Sequence, residues 1–362
     1  MHEIDATHRS GLCATTGFFD IKGGFDNVSH PILLDRLTSL GTPSHIVSWS
    51  ESFLSDRSIT LVYPGAPNLS VPVSVGAPQG SPISPLFFVI YAAPLHASDG
   101  ISFRLYVDDF SLTVASTSYE HNSQKLIATF DCLVTQGTSI SVPFAPEKTE
   151  VIHWETHRQR SPAPFSPIQL GGQLITPSTF VRWLGFWFDQ RRTGTVHLQK
   201  RAASAAITLR SLRNLSSPAK GLTPQNVRHL VQLVLRPRLL YGASIFSPRE
   251  VDLRPLRAVW RSAAHWILGA FRTTPTTSLL IEAAPPPTHL LFKHARLRYA
   301  LRIACDQPTT NPAAAALPYS FPTTPQWRDP FTGRHAVPYP MTRSWNSEPT
   351  RSWGRPPSIL TA

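Results

Sequence analysis

The alternation of hydrophobic and polar positions follows two regimes along this chain. Up to about residue 190, short apolar runs between turn residues predict strands mixed with helices. Residues 15–21 (TTGFFDI) predict a strand ending in an acidic residue, and 149–154 and 180–188 predict further strands. The β-rich runs 58–63 and 69–76 flank PGAPN, the pattern of a hairpin. Residues 101–116 (ISFRLYVDDFSLTVAS) predict two strands folded around an acidic tip. A helix is expected from Pro31 to Leu40, with Ser29 as its cap and Gly41 as its stop. Others are expected around His45–Leu54, from Ser84 to about Leu95 (apolar and buried on most sides) and from Glu120 to Gly137. Helices and strands mix without a βα repeat, so this half reads as α+β.

Beyond about residue 194 the period becomes helical. Leu198, Ala202, Ala205, Leu209 and Leu212 recur at four and three. Thr223 caps and Pro224 starts a second helix with Val227, Leu230, Val231 and Val234 on its apolar face, and Pro237 is expected to interrupt it. A third helix runs from about Pro255 to Leu268, stopped by Gly269. From about 306 the chain is dense in Pro, Thr and Ser, and little fixed structure is expected there.

Composition narrows the class. The 362 residues are 41% hydrophobic, ample for one large core or two smaller ones. Lys and Arg outnumber Asp and Glu by 34 to 22, a formal charge of +12 that suits a polyanionic partner or a merely soluble basic protein. Cys13, Cys132 and Cys305 form neither a CxxC pair nor a disulfide framework, which fits a reducing, intracellular compartment. No window reaches the ~18 apolar residues of a membrane span, and the opening MHEIDATHRSG lacks a secretory apolar run. The expectation is a soluble chain with no membrane partner and no legible targeting segment.

Three acids stand out: Asp20 at a strand end, and Asp108 and Asp109 at a hairpin tip. A strand terminus beside a turn can gather such carboxylates, whose mutual repulsion two Mg²⁺ ions would relieve. Two metals about 4 Å apart can activate a hydroxyl and stabilise a leaving phosphate oxygen, the chemistry of nucleotidyl transfer. Taken singly, each Asp, even in a DD pair, is more often a turn or cap residue than a metal ligand.

The order of motifs says more. FFDIKGGFDNV, GAPQGSPISPLFFVIY, LYVDDF, PEKTE and RWLGF resemble the successive palm motifs of reverse transcriptases. RPRLLYGASIF, WILGAFRTTP and LLIEAAPPP are similar to blocks of the non-LTR, LINE-like branch. The resemblance implies a right-hand polymerase palm over 15–190, after a remnant N-terminal segment at 1–14. A helical thumb over 191–305 and the Pro-rich tail 306–362 would follow. It implies an RNA-directed DNA polymerase using an RNA template, a DNA primer, deoxynucleoside triphosphates and two Mg²⁺ (or Mn²⁺). A nuclear location also comes from the family alone.

Carried over by position, Asp20 and Asp108 would hold both metals, Asp109 would support the primer-side one, and the Ile21 carbonyl would complete the other. Phe25 would lie under the incoming sugar and exclude a 2′-hydroxyl, or serve as a core aromatic, or both. Gln79 and Gly80 would meet nucleotide and template, although PQGSP also reads as a plain turn. Lys148 would approach the triphosphate, or be a solvated surface lysine. Trp183, Leu184 and Gly185 would position the primer end, an assignment compatible with a packed apolar strand. Arg254, Arg257 and Arg261 form one helical stripe; with Arg236, Arg238, Lys200 and Arg201 they would track the duplex backbone or stand as a solvated face. In the tail, Trp327/Arg328 and Trp353/Arg355 could stack on single-stranded RNA.

Against the family pattern, only 19 residues precede Asp20 where a fingers region is expected, and Gly24 stands where Ala is common. Arg104 enters an apolar strand, an awkward place for a charge. No endonuclease, zinc knuckle or ribonuclease H set is legible. These departures give the expectation of a truncated element, whose alternatives to an active polymerase are an inactive nucleic-acid-binding remnant or a relic that does not fold.

Overall fold

Eight residues from Cys13 to Asp20 form β1, the strand around which the first half is organised. The computed structural model describes residues 1–65, 67–98, 100–155, 165–214, 221–246 and 248–306. β1 is buried from Cys13 to Phe19 because both faces of the sheet are packed, and strands also cover both of its edges. On one side β5 (Asp109–Ser116) pairs antiparallel along the whole length, with Cys13 opposite Ser116 and Asp20 opposite Asp109. On the other lies β6 (Glu150–Trp154), also antiparallel. β4 (Ser102–Tyr106) adds outside β5, so the sheet order is β4-β5-β1-β6. The two strands expected in 101–116 are therefore a β4–β5 hairpin with Val107 and Asp108 at its tip.

Side chains on one face of the sheet pack with α2 (His30–Ser39), α4 (Ser84–Ala92) and α5 (Tyr119–Ser139). Leu33, Phe88, Tyr91, Leu126, Phe130 and Leu133 close this core over Phe19, Phe110 and Leu112. α4 is less buried than its composition predicts, because Leu86 and Val89 are 52% and 47% exposed. It also stops at Ala92 rather than Leu95: Ala93 still has helical angles, but Pro94 has no N–H to continue the hydrogen-bond ladder. Ser29 takes the cap position of α2 without a side-chain cap bond; instead its N–H donates to the Tyr91 hydroxyl at 3.2 Å. α3 (Ser44–Leu54) follows α2, and the β2 (Arg57–Leu61)–β3 (Leu69–Val73) hairpin comes next.

A second core gathers Ala14, Phe18, Ile152 and Trp154 with Ile4 of α1 (His2–Arg9) and with Val181 and Phe188. The first fourteen residues, expected as a remnant, thus contain a helix and the start of β1. Arg104 is corrected here: it is exposed on the edge strand β4 and pairs with Glu3 at 2.6 Å, so no charge is buried. The run 180–188, expected as strand, is a tight hairpin of β9 (Phe180–Trp183) and β10 (Phe186–Asp189). A small hairpin, β7 (Ile168–Leu170) and β8 (Gln173–Ile175), turns at Gly171–Gly172 and has no counterpart among the expected elements.

The helical half has its own core. α6 (Thr195–Asn214) contributes Leu198, Ala202, Ala205 and Leu209, against Leu256, Trp260 and Ala263 of α9 (Arg254–Leu268). Thr223 caps α7 (Pro224–Leu230), its hydroxyl accepting from the Asn226 N–H at 3.3 Å. Pro237 does not interrupt the helical path. Residues Val231–Leu235 form a π-helical turn, and α8 (Arg236–Leu240) continues through the proline. A π-turn shifts the hydrogen-bond register where Pro lacks its N–H. The same shift moves the buried face, so Leu235 and Leu239 are buried while Leu230 and Val234 are only partly so. Gly269 ends α9 in the left-handed region, as its position predicts. α10 (Thr276–Ala283) and α11 (Thr288–Asp306) complete the unit Met1–Asp306. The expectations for the tail, including its Trp–Arg pairs, lie outside the described residues.

Candidate active site

The register of the central strands gathers the acids. Asp20 is the last residue of β1 and Asp109, directly opposite, the first of β5; Asp108 precedes it at the hairpin tip. The Ile21 N–H donates to the Asp108 carbonyl at 3.0 Å, which ties the end of β1 to the tip. Val107 holds φ = 57°, a conformation that branched residues adopt only under constraint. Burial, and then repulsion from Asp108 and Asp20, pushes the Asp109 carboxyl above its usual range. Lys148 lies across the mouth and donates from Nζ to Asp20 Oδ2 at 2.6 Å, which raises its own pKa.

Among the described residues, no three His, Cys, Asp or Glu side chains form a ready-made metal cage. The donor chemistry nevertheless fits a divalent cation. Carboxylate oxygens are the ligands that hard cations take, and the repulsion felt by Asp109 is what a cation would relieve. The Ile21 carbonyl accepts no hydrogen bond among the described residues.

A loop pair sits beside this cluster. Phe25 is partly buried, its ring tilted against Phe88 with centroids 5.5 Å apart. Gln79 donates from Nε2 to Asp26 Oδ1 at 2.9 Å, and Gly80 is exposed at φ = 95° with open space where a Cβ would stand. The residue that joins the loops, Gly76, escaped sequence reading. Its N–H donates to Val28 O at 2.8 Å, and the neighbouring Ala77 N–H donates to Phe25 O at 2.8 Å. The Gly76 carbonyl accepts from Arg57 Nη1 at 2.6 Å and lies 2.9 Å from His30 Nε2. At φ = 83°, a Cβ on Gly76 would stand 2.9 Å from Asp26 O. Gly24 is the milder case: an added Cβ would meet the Phe88 ring at 3.1 Å.

Trp183, Leu184 and Gly185 make the turn of the β9–β10 hairpin, Leu184 at φ = 49° and Gly185 at φ = 77°. Tyr241 was also missed. Its hydroxyl donates to Leu184 O at 2.8 Å, and its ring stacks on Phe186 at 5.0 Å. Arg201 donates to Gly185 O at 2.8 Å, with its guanidinium 4.6 Å from the Tyr241 ring centroid. That arginine is committed to the hairpin rather than standing free. Lys200 Nζ lies 4.9 Å over Trp187. In the α9 stripe, Arg254, Arg257 and Arg261 are all exposed, but Arg257 is paired with Glu250. Arg236 bonds Gln232 at 3.2 Å, and Arg238 is exposed. No helix among the described residues is long and apolar enough to cross a membrane.

Residues 1–188 match the family model described as reverse transcriptase (RNA-dependent DNA polymerase). The chain is 23% identical over 290 residues to a putative 115 kDa protein in the type-1 retrotransposable element R1DM of Drosophila melanogaster, covering 79% of this chain and 28% of that protein. It is 23% identical over 266 residues to the RNA-directed DNA polymerase from mobile element jockey of the same organism, with 71% and 28% covered. It is 26% identical over 260 residues to the Pol polyprotein from element R2 of Popillia japonica, with 67% and 40% covered. The chain thus spans well under half the length of these relatives. Among solved structures, telomerase from Candida albicans, in complex with a fragment of telomeric RNA, aligns with a TM-score of 0.43 and 12% identity, covering 78% of this chain and 54% of that one.

Proposed function

This chain belongs to the reverse transcriptase (RNA-dependent DNA polymerase) family, in its LINE-like, non-LTR branch, and on that premise we propose that it adds deoxynucleotides to a primer 3′-hydroxyl along an RNA template. The supporting observation is the register that sets Asp20 opposite Asp109 beside Asp108, with the pKa of Asp109 raised by burial and then by its acidic neighbours. Members of the family use divalent metal ions, and two Mg²⁺ (or Mn²⁺) are the reading here. Asp20, Asp108 and the Ile21 carbonyl would hold them, with Asp109 in support. When bound, such ions supply Lewis-acid activation of the attacking hydroxyl and neutralise charge at the leaving oxygen.

The remaining roles belong to this chain's own groups. Lys148 would move from Asp20 to the triphosphate and donate a proton or charge there. Phe25, braced by Phe88, would leave no room for a 2′-hydroxyl. Gln79 and Gly80 would face the base pair being formed, and the open space at Gly80 allows close approach. The Trp183–Gly185 turn would seat the primer end. Arg254, with Lys200 and Arg238, would meet duplex phosphates. In this reading 15–190 is the palm and 191–305 the thumb.

The test is primer extension on oligo(rA)·oligo(dT) with Mg²⁺ and dTTP, comparing the chain with its Asp108→Ala/Asp109→Ala variant. Extension that disappears in the variant is the expected result. No extension by a folded chain that still binds the duplex would sink the enzymatic reading.

A further inference from the structure

The helical half contains a cleft of about 1100 Å³, and none of its lining residues belongs to the carboxylate cluster. The end of α6, the start of α7 and the C-terminal part of α9 form it. Arg213, Arg261 and Arg272 line it together with His265 and Trp266, and among the described residues no acidic side chain does. Three guanidiniums gathered around one concavity give it a positive character that suits an anionic ligand. Arg261 and Arg272 are exposed and make no ion pair or hydrogen bond among the described residues. Arg213 donates Nη2 to the Ser262 carbonyl and hydroxyl, yet its Nε, like His265 Nδ1, is buried without a partner.

A solvated basic face would be flat and polar. Here Leu222, Val227 and Ile267 add apolar wall beside Trp266. Cation-rich grooves that carry an aromatic side chain suit unpaired nucleotides, whose phosphates meet the cations while the base stacks. A duplex keeps its bases away from such a wall, and a lone inorganic anion leaves most of the volume unfilled. The volume slightly exceeds the about 300–1,000 Å³ of pockets that enclose a whole organic ligand, which leaves room for one nucleotide of a longer strand.

We infer that this cleft binds an unpaired nucleotide of a nucleic-acid strand, its phosphates on Arg261 and Arg272 and its base against Trp266. The inference rests on the proposed nucleic-acid function for the identity of the ligand only, since no step of nucleotidyl transfer passes through the cleft.

Fluorescence anisotropy with a short labelled oligo(rU) strand tests it, alongside an abasic strand of equal length and the matching duplex. For Arg261→Glu/Arg272→Glu, with circular dichroism and melting unchanged, single-strand affinity is expected to fall at least about tenfold. The slope of log K against log salt should flatten by about 1.4, as for two lost phosphate contacts. The abasic strand should bind the wild-type chain about tenfold more weakly, one stacked base's contribution. Tripolyphosphate should not displace the strand at equal phosphate concentration. Unchanged affinity in the charge-reversed pair, equal binding of the abasic strand, or full displacement by tripolyphosphate would overturn the inference. The Asp108→Ala/Asp109→Ala variant should keep cleft binding, so failed extension and a failed cleft are read separately.

Discussion

Asp109 carries the electrostatic cost of the carboxylate cluster. Its pKa is raised, so the folded chain holds that proton more tightly than the unfolded chain does. Its stabilising contribution is therefore complete only below the ordinary value of 3.8 and is lost as pH rises through the raised one. At neutral pH the ionised group subtracts from stability. Asp109→Asn should accordingly raise the melting temperature at pH 7 in chelator, with the gain vanishing below about pH 3.8. Added Mg²⁺ should stabilise the wild type more than the variant. Equal melting temperatures at pH 7 would show that neither burial nor the neighbouring carboxylates penalise the ionised Asp109. The acids were legible in the sequence because their spacing within FFD and YVDD carries their placement at a strand end and a hairpin tip. The Lys148–Asp20 pair was not legible, because 128 residues separate its members and only the folded sheet joins them.

Two loops become one unit through Gly76. Its left-handed φ and the 2.9 Å approach to Asp26 O leave no space for a side chain. Gly76→Ala should cost roughly 1–3 kcal/mol in urea unfolding, as for other residues held at unfavourable φ. It should also raise the KM for dTTP, because Phe25 and Gln79 hang from the same loops. A variant with normal stability and normal KM would separate the loops from nucleotide binding. GAPQGSP announced a turn, but a turn pattern does not reveal which glycine touches a distant backbone. The same limit applies to Tyr241. Its sequence block is legible, yet its bond to Leu184 O depends on a hairpin 57 residues earlier. Where helix register alone decides burial, the sequence was informative: Leu198, Ala202, Ala205 and Leu209 are core as their spacing predicts, and only Leu212, near the helix end, is partly buried instead. Past Val231 it misled, because the π-turn ahead of Pro237 rotates the buried face. α10 and α11 escape the periodicity, since their apolar positions are interrupted by exposed Ile281, Leu290 and Leu297.

At the scale of the whole molecule, acid stability should depend on buried imidazoles, with the pKa values of His197 and His153 both lowered by burial and that of His153 the more strongly. His153 is 2% exposed, bonds Thr15 Oγ1 at 2.7 Å, and burial lowers its pKa from 6.5 to about 4. A lowered pKa gives stability that is present above 6.5 and is lost as pH falls through about 4. At about 1.4 kcal/mol per pH unit, the loss reaches about 3 kcal/mol. His153→Gln should flatten the unfolding free energy between pH 6.5 and 4; an unchanged acid limb would place the sensitivity elsewhere. The edge of the four-stranded sheet governs a different collective property. β4 has a strand on its inner side only, so its outer row of amides and carbonyls could template a neighbouring molecule. The charge of Arg104, paired with Glu3 of α1, would act as a gatekeeper against edge-to-edge assembly into fibrils. Arg104→Val suits the β-propensity of the strand and removes the guard, so it should leave the monomer folded while shortening the lag of thioflavin-positive aggregation. A residue that looked misplaced in one chain thus protects a concentrated solution of many.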